Sequence, residues 1–169
     1  RGLVVIDTPG LNAIGAEPEL TLSLLPAAHA VVFILAADTG VTKSDLSIWQ
    51  DHLGGQAMSR FVVLNKIDAM IDPLQSPEMV AAQIAKQCEA TAQTLSVPAH
   101  RVFPMSARSA LAARIDGNAR ALADSRLPAL EDALATELLP RRREVIAELG
   151  QETAASVQQH ALRRLQRLA

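Results

Sequence analysis

The chain has 169 residues, of which 49% are apolar and 20% charged, with a formal net charge of −2. That length and balance allow one domain with a buried core, exclude a disordered polymer, and create no overall demand for nucleic acid. A single cysteine, Cys88, excludes an intrachain disulfide framework and suits a reducing compartment.

Four short runs read as strands in chain order: GLVVID (2–7), AVVFILAA (30–37), RFVVLN (60–65) and RVFPMS (101–106). The first three lack polar alternation, as expected of parallel strands covered on both faces. The apolar stretch from Leu24 to Ala37 carries Pro26 and His29 and is too short to cross a bilayer. Helical sequence lies between the strands, at about 17–26, 42–53 and 78–95. Thr42 or Ser44 can cap the second of these helices, and Gly54–Gly55 can stop it. Ser76 can cap the third, with Pro77 at its first position and Glu78 in its first turn. Strand alternating with helix predicts βαβ units, hence an α/β fold with a doubly wound, mainly parallel sheet.

From Ser109 onward the sequence is helix-forming only, with breaks expected near Gly117, Pro128 and Pro140. Residues 1–138 hold 10 Lys and Arg against 15 Asp and Glu, whereas 139–169 hold 6 against 3. The expected division is therefore an α/β domain over 1–138 and a helical segment over 139–169. Val145, Leu149, Leu162, Leu165 and Leu168 fall roughly on one helical stripe, read first as an amphipathic helix packing on its own protein. Its arginines, Arg141 to Arg143, Arg163, Arg164 and Arg167, could face anionic lipid or pair with Glu144, Glu148 and Glu152. His29, His52, His100 and His160 lack metal-ligand spacing, and Trp49 and Phe33 read as core.

Ligands of open α/β sheets sit beyond the carboxyl ends of the strands. Three of the four strands end in polar turns there: Asp7-Thr8-Pro9-Gly10, Asn65-Lys66-Ile67-Asp68 and Ser106-Ala107-Arg108. A carboxylate at Asp68 can accept two parallel hydrogen bonds from a planar donor pair, such as guanine N1–H and its 2-amino group. Adenine places an acceptor at the matching ring position, so a desolvated Asp68 rejects it. Asn65 can tie the loop to its neighbours, and the Lys66 stem can lie across the base face. Asp7 can hold Mg²⁺ through a water when phosphates supply the other ligands. Gly10 lets a backbone N–H approach a terminal phosphate. After the last strand, backbone N–H groups at Ser106 and Ala107 can meet the guanine carbonyl, although Ser106 reads equally well as a helix cap.

These three stretches resemble the third, fourth and fifth motifs of P-loop GTPases, in the usual order, over residues 1–110. Within that class, DTPGL followed by LPAAHAVVFILAADTGVTKSD resembles the bacterial dynamin-like proteins. The resemblance implies a GTPase that binds GTP or GDP with Mg²⁺, pairs as a homodimer through its GTPase heads and couples turnover to membrane remodelling. It further implies a cytoplasmic protein touching the inner face of a membrane peripherally, with nucleic acid an unexpected partner. The alternative is an Era- or TrmE-like GTPase acting on RNA; a third reading is a degenerate domain that no longer hydrolyses nucleotide. No Gly-x-x-x-x-Gly-Lys-Ser/Thr stretch occurs in the 169 residues. The chain, opening in mid-strand, is therefore expected to be the C-terminal remainder of a GTPase domain truncated at its N-terminus. Leu11 stands where Ras-type enzymes carry the glutamine that orients water, so no catalytic residue is assigned in this chain.

Overall fold

The computed structural model describes residues 4–8, 23, 25–53 and 58–138. Its centre is a three-stranded parallel sheet, β1 (Ala30–Ala36), β2 (Ser59–Asn65) and β3 (Val102–Pro104), in the order β1-β2-β3. Phe33 lies opposite Val62 and Leu35 opposite Leu64 across the first pair, and Val62 lies opposite Val102 across the second. The α/β reading of the sequence is borne out by this sheet and its crossover helices.

β2 is the strand the sequence reading describes best. Phe61, Val62, Val63 and Leu64 are all at most 2% exposed, so both faces are covered. Val62 and Leu64 join Phe33, Leu35, Trp49, Leu53, Ile84, Leu95 and Val102 in one apolar cluster. On the opposite face the Phe61 and Phe103 rings stand 6.1 Å apart, and the Arg101 guanidinium lies 5.5 Å from the Phe61 ring centre. β1 departs from the expectation of two covered faces: Val32 is 39% and Ile34 63% exposed. Only the Phe33 and Leu35 side finds helices to pack against among the described residues.

The helices follow their caps. In α1 (Lys43–Ile48), Thr42 accepts from the Asp45 N–H, while the Asp45 carboxylate accepts from the Thr42 N–H, a capping box. A π-turn over Trp49–Leu53 continues it, replacing the uninterrupted helix expected there. That turn buries Trp49 (3% exposed) against Phe33, and its indole N–H donates to the Leu95 carbonyl at 3.0 Å. α2 (Pro77–Leu95) starts as expected, with the Ser76 hydroxyl accepting from the Met79 N–H and proline at the first position. β3 is shorter than expected; a 3₁₀ turn at Ala99–Arg101 precedes it, and the chain beyond Pro104 turns into α3 (Ala107–Ile115).

α3 gives way to α4 (Ala119–Asp124) at Gly117, whose φ of +64° suits glycine. A further helix runs over 127–138. Pro128 therefore opens a helix instead of breaking one, because a first-turn residue needs no intrahelical N–H bond. The expected break at Pro140 and the amphipathic tail lie outside the described residues, as do Gly54–Gly55. Of the helix expected at 17–26, only Ser23 and a 3₁₀ turn at Leu25–Ala27 are described. The chain divides into two compact units, Arg1–Leu130 and Glu131–Ala169.

The strand expected at 2–7 is not formed over its described part. Residues 4–8 have no regular secondary structure, and Val4, Val5 and Ile6 are 79%, 81% and 57% exposed. An apolar run becomes a strand only when a neighbour takes up its N–H and C=O groups, and none does so here among the described residues.

Candidate functional site

β2 delivers Asn65 to the carboxyl end of the sheet, where its main chain and side chain do different jobs. The Asn65 carbonyl accepts from the Ala37 N–H at 2.7 Å, holding the ends of β1 and β2 together. Its side-chain Oδ1 accepts from the Lys66 N–H at 2.8 Å and from the Ala107 N–H at 3.0 Å. One amide oxygen thus ties the loop after β2 to the loop after β3, the bracing role expected of it. Lys66 occupies the left-handed region (φ 68°, ψ 34°), which costs a non-glycine residue roughly 1–2 kcal/mol. The bond from its N–H to Asn65 helps hold it there. Buried Ile67 anchors the following 3₁₀ turn (Ile67–Met70), and its N–H reaches the Met105 carbonyl at 3.3 Å. Met105 in turn donates to the Leu64 carbonyl at 2.9 Å, so the two loops are stitched by main chain as well.

Asp68, in that turn, is half-buried, and its Oδ1 is buried with no hydrogen-bond partner. Withdrawing a carboxylate oxygen from water without a replacement donor is costly. An incoming ligand with paired N–H groups would remove that cost, as the sequence reading of Asp68 expects. The Lys66 side chain is exposed beside it and free of the core.

Ser106 is 2% exposed and caps α3: its hydroxyl accepts from the Ser109 N–H at 3.0 Å and donates to the Ser109 hydroxyl at 2.9 Å. The cap alternative is therefore the one observed. The Ala107 N–H is already directed at Asn65, which alters the expectation that it faces a base carbonyl alone. The next amide, that of Arg108, has no intrahelical acceptor at this helix start and is the second donor of the same turn. The loop has a support that no sequence motif marks. The Ser106 N–H donates to the Ser125 carbonyl at 3.0 Å, from a turn between α4 and the helix beginning at 127. An isolated serine between two helical stretches carries no signal of such a contact.

Asp7 is exposed, on the described segment 4–8. Gly10 and Leu11 lie outside the described residues. No group of three or more His, Cys, Asp or Glu able to hold a metal occurs among the described residues. No described helix is long and apolar enough to cross a membrane.

No protein-family model matches the chain. It is 28% identical over 165 residues to a bacterial dynamin-like protein of Nostoc punctiforme, covering 89% of this chain and 23% of that protein. It is 34% identical over 117 residues to a probable transmembrane GTPase, FZO-like and chloroplastic, of Arabidopsis thaliana, covering 68% of this chain and 12% of that protein. The chain thus spans less than a quarter of the length of either relative. Its fold matches the GTPase Era, solved with MgGDPNP and nucleotides of 16S ribosomal RNA, at a TM-score of 0.50 and 20% identity. A variant of Aquifex aeolicus Era bound to GDP and aluminium fluoride matches equally well; each likeness covers 77% of this chain and 38% of the other. By sequence likeness to the first pair and by the fold it shares with the second, the chain belongs to the dynamin-like class of P-loop GTPases.

Proposed function

We propose that this chain forms the guanine-recognising part of a GTP-binding and GTP-hydrolysing domain, in a protein that couples nucleotide turnover to membrane remodelling. The observation that carries the reading is the pair formed by Asn65 and Asp68. The first braces two loops through one oxygen, and the second presents a buried carboxylate oxygen without a donor. Guanine N1–H and its 2-amino group supply the missing donors. Lys66 covers the base, and the Arg108 amide, in the turn held by Ser106 and Asn65, faces its carbonyl, with the Ala107 amide shared with Asn65. Mg²⁺ would draw on Asp7 through a water and on the nucleotide phosphates for the rest, and a glycine at position 10 would let a backbone N–H approach the terminal phosphate. When bound, the ion would neutralise phosphate charge, and Asp7 would orient its water.

The name of one relative, a probable transmembrane GTPase, supports a site of action at a membrane; the cytoplasmic inner face is part of the proposal and rests on the sequence resemblance. Pairing of two GTPase heads, and a division into a GTPase part over 1–138 and a helical segment over 139–169, belong to the same proposal and rest on the sequence resemblance alone. A second reading, action on RNA, is favoured by the shared fold with Era, which was solved with an RNA segment. The sequence likeness to the dynamin-like pair favours the first.

Asp68→Asn in the full-length protein tests the base site. An amide can donate to the 2-oxo group of xanthine, so preference should move from GTP toward XTP in competition binding. An unchanged preference removes Asp68 from the base site.

A further inference from the structure

We propose that Ser125 is a positioning residue for guanine recognition, holding the first turn of α3 in register to meet the 6-oxygen of the base. This rests on the proposed guanine site and adds to it a residue some twenty positions downstream of the nearest motif.

Three observations point the same way. The Ser125 carbonyl accepts from the Ser106 N–H at 3.0 Å, so the loop that ends β3 hangs on this turn. The Ser125 side chain is 2% exposed and doubly engaged: its hydroxyl donates to the Leu122 carbonyl at 2.5 Å and accepts from the Leu127 N–H at 3.3 Å. It therefore joins the last turn of α4 to the first residue of the next helix. The residue after it, Arg126, is held at φ 61°, in the left-handed region an arginine seldom adopts. A strained residue persists where its surroundings over-determine it, and such positions concentrate where geometry matters.

The chemistry follows from these contacts. Ser106 caps α3, and its position fixes where the amides of Ala107 and Arg108 point. Asn65 fixes the Ala107 amide from the other side. Removing the Ser125 hydroxyl takes the acceptor from the Leu127 N–H and the donor from the Leu122 carbonyl, and so loosens the turn whose main-chain carbonyl holds Ser106. The Arg108 amide then loses alignment, whereas Asp68 follows Ile67, whose N–H bond to the Met105 carbonyl does not run through Ser125.

The test is a ligand panel on the full-length protein with Ser125→Ala. GDP, 6-thio-GDP and inosine diphosphate are compared by direct binding. The thio analogue weakens the 6-position acceptor, with its effect on N1–H common to variant and wild type, and inosine lacks only the 2-amino group that Asp68 would read. The GDP to 6-thio-GDP affinity ratio should narrow about threefold or more, the size of one hydrogen bond, while the GDP to inosine diphosphate ratio stays constant. Constant values of both ratios overturn the inference. A parallel fall of both also overturns it, since Ser125 would then support the whole site and not the 6-position.

If Ser125→Ala does not fold, the turn is perturbed through Arg126. Arg126→Val disfavours the left-handed conformation and should narrow the first ratio, whereas Arg126→Gly accepts that conformation and should keep it. Equal ratios in the two variants overturn the inference. A wild-type protein that binds no GDP refutes the guanine site itself, and this inference falls with it.

Discussion

Asn65→Ala removes a single acceptor that serves two amides on separate loops, at 2.8 and 3.0 Å. A net hydrogen bond is worth about 0.5–1.5 kcal/mol, giving an upper bound near 3 kcal/mol for the pair. Both contacts are solvent-exposed, so water can replace part of what is lost and the lower half of that range applies. A local loss of about 1–2 kcal/mol is expected, and at these loops it speeds amide exchange by roughly 5- to 30-fold. Hydrogen exchange read by mass spectrometry on peptides spanning 64–70 and 105–110 measures it. Both peptides should accelerate together, and peptides from the middle of α2 should not. Asn65→Asp keeps an acceptor in place and should leave both near wild-type rates. Acceleration in only one peptide would refute the view that one side chain braces both loops.

Gly40→Ala should lower stability by about 1–2 kcal/mol, because Gly40 sits at φ 68°. An added Cβ would also press on the Gln87 amide nitrogen, but that is the end of a flexible side chain, so the backbone angle dominates. Denaturant unfolding of Gly40→Ala with and without Gln87→Ala decides: full recovery in the double variant would place the cost in the clash. Burial pushes the Cys88 thiol above its ordinary range, and the Arg126 charge pulls it part of the way back. At pH 8 Cys88 should therefore be alkylated by iodoacetamide more slowly than an exposed thiol, and more slowly again in Arg126→Gln. A rate equal to that of free cysteine would contradict this. The 169-residue chain by itself should bind GTP very weakly, since its sequence holds no Gly-x-x-x-x-Gly-Lys-Ser/Thr stretch to cradle the triphosphate. A micromolar or tighter dissociation constant by calorimetry would refute that.

Local chemistry settled much of this chain in advance. β2 was legible because four consecutive apolar residues without alternation are what a strand covered on both faces needs. The start of α2 was legible because Ser76, Pro77 and Glu78 each suit the first turn of a helix for reasons internal to that turn. Asn65 and Asp68 are legible as candidate site residues from their place at a strand end and from the hydrogen bonds their side chains can make.

Other features depended on partners that the sequence does not display along its length. The apolar run at 2–7 reads as well as β2 does, yet residues 4–8 are exposed coil, because a strand is made by its neighbour's hydrogen bonds and not by its own composition. β1 likewise covers one face only, since burial of Val32 and Ile34 depends on what packs there. The bond from Asn65 to Ala107 spans 42 positions, and that from Ser106 to Ser125 joins a motif to a residue outside any motif. Periodicity and propensity act within a few residues of the chain, whereas the alignment of the loops after β2 and β3 is set by hydrogen bonds that only the folded sheet and its crossover helices bring within reach.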